Sequence, residues 1–172
     1  GRFDGRLLLS RRARRPLQWQ AVDLQAMLQR IQSQLQQQCA GRAIEWQLPS
    51  RRVQIEADAP LLEQALTAAL SNAIKFSRQQ ALARIGVAVQ EAEGGWQIVV
   101  SDNGCGFDSS RADRLFGIFQ RMHRENEFEG VGTGLALIQG ICQRHGGQAR
   151  IQAQTGLGCE LHMFWPQVAV AQ

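Results

Sequence analysis

No stretch of this chain is apolar for the ~20 residues that a membrane-crossing helix needs. The triplet Leu7-Leu8-Leu9 runs straight into Ser-Arg-Arg, which does not resemble a signal-peptide cleavage site. Cysteine is sparse and scattered. Cys39, Cys105, Cys142 and Cys159 form no C-x-x-C pair, and none has a histidine at a zinc-site interval. This argues against a structural zinc module, and the four are expected to be reduced thiols of a cytoplasmic protein. The net charge is +4, much of it in "RRARR" at 11–15. No aromatic residues interleave with that run and no nucleic-acid module motif occurs, so it reads as a solvated helix end. There is no internal repeat, and no low-complexity tract beyond "QQQ" at 36–38.

What is present suits one globular domain. The chain has 172 residues, 44% of them hydrophobic, enough for a core of its own. "DGRLLLSRRARRPL" reads as the tail of a helix ending near Pro16. The next helix has Asp23 as its cap, Leu24, Met27, Leu28, Ile31 and Leu35 at helical spacing, and Gly41 as its stop. "AIEWQL" and "RVQIEA" alternate as short strands around a Pro-Ser turn. A second helix starts at Asp58 with Pro60 in its first turn, and its apolar stripe is Leu62, Ala65, Leu66, Ala69, Ala73 and Ile74. "ARIGVAVQ" and "WQIVVSD" read as a hairpin through Glu93-Gly94-Gly95. A long polar connection over 107–130 follows, of the length usual for functional lids or disordered segments. A third helix carries Leu135, Ile138, Ile141 and Cys142 on one face, and "QARIQAQ" with "GCELHMFW" closes the chain as a second hairpin. Strands and helices do not alternate regularly, so the expected fold is a two-layer α/β (α+β) sandwich. About three helices would cover one face of a mixed sheet.

Three segments carry chemistry. Asn72 and Lys75 lie off the second helix's stripe, three residues apart, and are expected to share a face. An amide oxygen beside an ammonium suits a metal ion and a polyphosphate. "SDNGCGFD" at 101–108 ends a strand with one carboxylate, Asp102, and then gives up side chains at Gly104 and Gly106. A simple turn needs one glycine, not two. "GVGTGL" opens the third helix with Gly130, Gly132 and Gly134. Spaced glycines at a helix start expose N–H groups to an anion. Arg121 and Arg124 in the preceding connection can reach a phosphate.

In this order the segments resemble a known family. "SNAIKFS" looks like the N box, "DNGCGF" the G1 box, "LFGIFQRMH" the F box and "GVGTGLAL" the G2 box of the catalytic ATP-binding domain of sensor histidine kinases. That domain has the Bergerat (GHKL) fold. The similarity runs from about Leu17 to Pro166 and is greatest to phytochrome-type and related kinases. It implies an ATP- and Mg²⁺-binding protein-histidine kinase domain whose lid is the 107–130 connection. Asp102 would accept a hydrogen bond from the adenine amine and reject guanine. Gly104 and Gly106 would admit the base. Asn72 would hold magnesium, and Lys75, Arg124 and Arg121 would face phosphates. Gly130, Gly132 and Gly134 would hinge the lid, and Phe107, Thr133 and Leu135 would complete the nucleotide-binding set.

The resemblance further implies a phosphoacceptor histidine on a dimeric helical hairpin and a response-regulator receiver as partners, with no nucleic acid or membrane contact by this domain. His123, His145 and His162 do not stand in a phosphoacceptor context. Residues 1–16 are therefore expected to end that hairpin or link it, and 17–172 to form the catalytic domain. Ala68 departs from the N box, one turn before Asn72. Hydrolytic relatives of the fold place a water-activating glutamate there. Alanine argues against an efficient ATPase and leaves open a nucleotide-binding interaction module without phosphotransfer.

Overall fold

The computed structural model describes residues 16–104, 131–154 and 158–167. The expected helix tail before Pro16 and the 107–130 connection lie outside them. Strand β1 (Trp19–Asp23) leads directly into helix α1 (Leu24–Gln38), then β2 (Ile44–Gln47), β3 (Gln54–Asp58) and helix α2 (Ala59–Phe76). After these come β4 (Ala83–Ala92), β5 (Gly95–Asp102), helix α3 (Val131–Arg144), β6 (Gln148–Gln154) and β7 (Gly158–Pro166).

The helices start where short acids can cap them. Asp23 Oδ1 accepts from the Ala26 amide at 3.1 Å, and Asp58 Oδ1 from the Leu61 amide at 3.2 Å, each satisfying a donor that the first turn leaves open. The predicted apolar stripes are all buried, Leu28, Ile31, Leu62, Leu66 and Ile138 completely. Each large side chain so buried contributes about 1.5–3 kcal/mol.

Five strands form a mixed sheet in the order β2-β4-β5-β7-β6, with β5 in the middle. Both expected hairpins are present: β4 pairs antiparallel with β5 and β6 with β7. One buried cluster joins the helices to the sheet, taking in Leu28, Leu66, Ile138, Ile98 and Met163. The opposite face is polar, with Arg84, Gln90, Arg150 and Glu160 exposed. The two-layer expectation is therefore met.

"AIEWQL" and "RVQIEA" are strands, as expected, and the sequence alone left their partners open. They do not become neighbours. β2 joins the main sheet parallel to β4, while β3 pairs antiparallel with β1 in a separate two-stranded ribbon. β1 was not anticipated at all. Four of its five residues are exposed and only Val22 is buried, so it shows no alternation.

The ribbon is tied to the rest of the molecule by side chains. The Gln167 amide brackets β3, its Oε1 accepting from the Glu56 N–H at 2.8 Å and its Nε2 donating to the Glu56 carbonyl at 3.0 Å. One residue pair further on, the Asp58 N–H donates to His145 Nε2 at 3.2 Å.

Candidate nucleotide-binding site

β5 is the middle strand and its last residue is Asp102, so the carboxylate emerges at the centre of one sheet edge. The side chain folds back onto its own loop, where Asp102 Oδ1 accepts from the Gly104 N–H at 2.8 Å. Burial raises this carboxyl to a pKa of about 6, against the opposite pull of that amide bond. It is still largely ionised at neutral pH, and it has given up much of its hydration.

Gly104 is buried against the end of α2. A Cβ there would collide with the Phe76 carbonyl and lie 2.9 Å from Asp102 Oδ1. The glycine is required by its close approach to the end of α2. Asn103 has a role that the sequence reading missed. Its Oδ1 accepts from the Arg84 N–H at 2.8 Å and its Nδ2 donates to the Leu82 carbonyl at 3.0 Å. The amide thus extends the β4–β5 ladder by side-chain bonds and holds the Asp102 turn against β4. Asn in a D-N-G turn was the available signal.

On α2 the expectation was half right. Lys75 is exposed in the last turn. Asn72 does not share its solvent face: it is only 4% exposed and belongs to the buried side of the helix. The physical reason lies on α3. A Cβ on Gly134 would come within 2.8 Å of Asn72 Nδ2 and 3.1 Å of Oδ1, so the missing side chain of Gly134 makes room for the amide. Among the described residues, Asn72 Nδ2 has no hydrogen-bond partner. A buried unpaired amide costs about 1–3 kcal/mol, and such orphans call for an explanation.

The end of α2 is also fixed. Ser77 Oγ donates to the Ala73 carbonyl at 2.7 Å, and Arg42 Nη2 donates to the Ser77 carbonyl at 3.0 Å. Leu135 is buried at 1% exposure beside Gly134, as part of the core. Gly132 and Thr133 lie in the first turn of α3. Gly106, Phe107, Arg121, Arg124 and Gly130 lie outside the described residues. The structure therefore brings together Asp102, Gly104, the Phe76–Ser77 end of α2, Asn72 and Gly134, and leaves Lys75 at the rim.

Ala68 is partly buried against the core. It also lines a groove of about 740 Å³ on the outer side of α2, with Met27, Arg30, Glu63 and Leu137. Among the described residues, none of the candidate nucleotide-binding residues lines that groove.

Residues 57–169 match the family described as histidine kinase-, DNA gyrase B-, and HSP90-like ATPase. Cyanobacterial phytochrome A of Nostoc sp. is 37% identical over 97 residues, covering 56% of this chain and 12% of that protein. The phytochrome-like protein Cph1 of Synechocystis sp. is 30% identical over 145 residues, covering 84% of this chain and 19% of that protein. The chain thus spans less than a quarter of the length of either relative. Among solved structures, full-length ShkA in complex with AMPPNP superposes with a TM-score of 0.68 at 25% identity, covering 87% of this chain and 32% of that one. The catalytic domain of histidine kinase ThkA gives a TM-score of 0.71 at 16% identity, covering 88% and 97%. The chain belongs to the histidine kinase-, DNA gyrase B- and HSP90-like ATPase family, as an ATP-binding catalytic domain of the sensor histidine kinase type.

Proposed function

We propose that this domain binds Mg-ATP and donates the γ-phosphoryl group to a histidine on a helical hairpin of the same kinase, for relay to a receiver domain in the cytoplasm. The observation that carries this is Asp102, a partly desolvated carboxylate held at the end of the central strand by a turn of close-packed backbone. Such a group accepts a hydrogen bond from the exocyclic amine of adenine and meets the carbonyl of guanine unfavourably. The paired-donor logic of specificity makes that discrimination large, because a mismatched base leaves a buried polar group unpaired.

Asn72 fits a magnesium site. Its amide is buried, and amide oxygen is a hard ligand of the kind Mg²⁺ takes, while the unpartnered nitrogen is left to donate to a phosphate oxygen or water. When bound, the ion would neutralise charge on the β- and γ-phosphates. Lys75 at the rim would add a mobile positive charge near the phosphates, as would Arg121 and Arg124. Gly130, Gly132, Thr133 and Gly134 would present backbone N–H groups at the start of α3. Gly106, Phe107 and Leu135 would complete the base pocket. Catalysis of this kind rests on positioning and charge neutralisation.

A second reading is favoured by Ala68. A methyl group can neither activate water nor hold a ligand, so the domain could bind nucleotide and act by docking alone. Two measurements separate the readings. Calorimetric titration with a non-hydrolysable ATP analogue, with and without Mg²⁺ and with GTP as control, tests the site. Saturable, adenine-selective binding strengthened by Mg²⁺ is expected. Incubation of the kinase containing its hairpin with γ-labelled ATP then tests transfer. Acid-labile histidine phosphate is expected, and tight binding with no label on histidine would leave only the docking function.

A further inference from the structure

We propose that Arg42 is a positioning residue for the adenine pocket, its guanidinium holding the end of α2 against the turn from which Asp102 reaches the base. The inference rests on the reading of Asp102 as the adenine acceptor.

Chain direction brings Arg42 to the nucleotide edge. β5 ends there with Asp102, whose partner in β4 is Ile85. β4 runs antiparallel to β5 and so begins at that edge. β2 is parallel to β4 and begins there too, with Ile44 opposite Ala83. Arg42 lies two residues before Ile44, and its backbone is braced on both sides. Gly41, at φ +94, turns the chain out of the end of α1. The Arg42 N–H donates to the Cys39 carbonyl at 3.0 Å, and the Ala43 carbonyl accepts from the Ala83 N–H at 3.0 Å. The side chain that leaves this braced segment is partly buried.

Its target is the Ser77 carbonyl, which accepts from Arg42 Nη2 at 3.0 Å and from the Gln80 N–H at 3.0 Å. The Gln80 bond closes the turn after α2 on itself. The Arg42 bond comes from another part of the chain, so it fixes where that turn stands against the sheet. Ser77 has no exposed surface, and its Oγ and N–H are both bonded back to the Ala73 carbonyl. A hold on its carbonyl is therefore a hold on the helix end. The preceding residue, Phe76, sets its carbonyl so close to Gly104 that no Cβ fits between them. The Gly104 N–H is in turn the donor to Asp102 Oδ1. Guanidinium, helix end, glycine turn and carboxylate thus form one contiguous stack.

A charged donor on a carbonyl is among the stronger hydrogen bonds in a protein. Without it the end of α2 can draw back from Gly104, and the carboxylate loses its fixed direction towards the base. Asn72 lies more than a turn back along α2 and packs at Gly134 instead. Arg42 therefore acts on the base end of the site and not on the phosphate end.

Two substitutions test this. Arg42→Met keeps most of the stem and removes the donors, whereas Arg42→Lys keeps a charged donor for the single carbonyl. Calorimetry, at a temperature where circular dichroism shows all three proteins folded, measures adenosine binding and ATP binding with and without Mg²⁺. Arg42→Met is expected to bind adenosine about three- to tenfold more weakly, as the net loss of about one hydrogen bond would give. The factor by which Mg²⁺ strengthens ATP binding should stay that of the parent, and Arg42→Lys should recover most of the adenosine affinity. Parental adenosine affinity in Arg42→Met overturns the inference. So does a Mg²⁺ factor that falls in step with adenosine affinity, which is the mark of a domain loosened throughout, or a lysine variant as weak as the methionine one. Failure of the parent to bind adenosine at all removes the adenine reading itself.

Discussion

A carboxylate withdrawn from water at the end of β5 weakens the fold at neutral pH, and it is the same group that gives the site its acceptor. Burial raises the Asp102 carboxyl from 3.8 to about 6, so the folded state holds this proton more tightly than the unfolded chain does. The stabilising contribution is fully present below about 3.8 and is lost as pH rises through about 6. Asp102→Asn removes the charge and can keep the acceptor for the Gly104 amide. This variant is expected to be more stable than the parent at pH 7.5 by about 2 kcal/mol, measured by urea denaturation, while calorimetry shows no ATP binding. In the parent, the ionised form is the one that accepts from adenine. Affinity should therefore fall as pH drops below about 6, approaching tenfold per pH unit, and a titration series from pH 8 to 5 reads it. Unchanged affinity at pH 5 would remove Asp102 from the recognition of the base.

At the scale of elements, the nucleotide edge depends on α2 and α3 meeting across one missing side chain. Gly134→Ala would place a methyl carbon 2.8 Å from Asn72 Nδ2. Displacing a packed amide or the helix start should cost about 1–3 kcal/mol. Asn72→Ala should relieve that collision, so the double variant is expected to be more stable than Gly134→Ala alone. It should nevertheless have lost the Mg²⁺ dependence of ATP binding. A thermal-denaturation cycle over the four proteins measures the coupling, and additive midpoints would mean that the helices do not meet there.

This contact shows where the sequence could be read and where it could not. The α2 stripe, the capping acids Asp23 and Asp58 and both later hairpins were legible because they are local patterns with a fixed period or a short turn. The boxes around Asn72, Asp102 and Gly134 were legible only together, through their order and its resemblance to a family. The depth of Asn72 was not, since it depends on a glycine 62 positions away that only the packed helices bring near. β1 and the pairing of β3 escaped for a similar reason. Their partners are distant in sequence, and the groups that hold the ribbon, Gln167 and His145, are more distant still.

Over the whole molecule, His145 joins four separate elements. Its Nδ1–H donates to the Ile141 carbonyl at 2.8 Å and its Nε2 accepts from the Asp58 amide. Trp19 and Trp165 meet the ring edge-to-face at centroid distances of 5.3 and 4.9 Å. Both nitrogens are thus committed to the neutral imidazole. Burial lowers its pKa below the ordinary 6.5, with Arg144 adding to this and the Ile141 bond and Asp58 opposing it. Protonation would set an N–H against the Asp58 N–H and loosen the ribbon. For a base held neutral, stability is full above about 6.5 and declines as pH falls below it, because the unfolded chain takes up the proton first. Asp102 acts in the opposite sense between about 6 and 3.8, so the two groups partly offset each other in mild acid. Asp102→Asn should remove the offset. Its urea midpoint is expected to fall more steeply than the parent's between pH 6.5 and 5. His145→Ala should gain stability as pH falls through about 6, because Asp102 then acts unopposed, from a starting point about 2–4 kcal/mol lower, since it leaves a void between two tryptophans and an unpaired Asp58 amide. Parallel pH profiles for all three proteins would mean that neither group governs stability in acid, and that the ribbon is held by Gln167 and the Val22 packing alone.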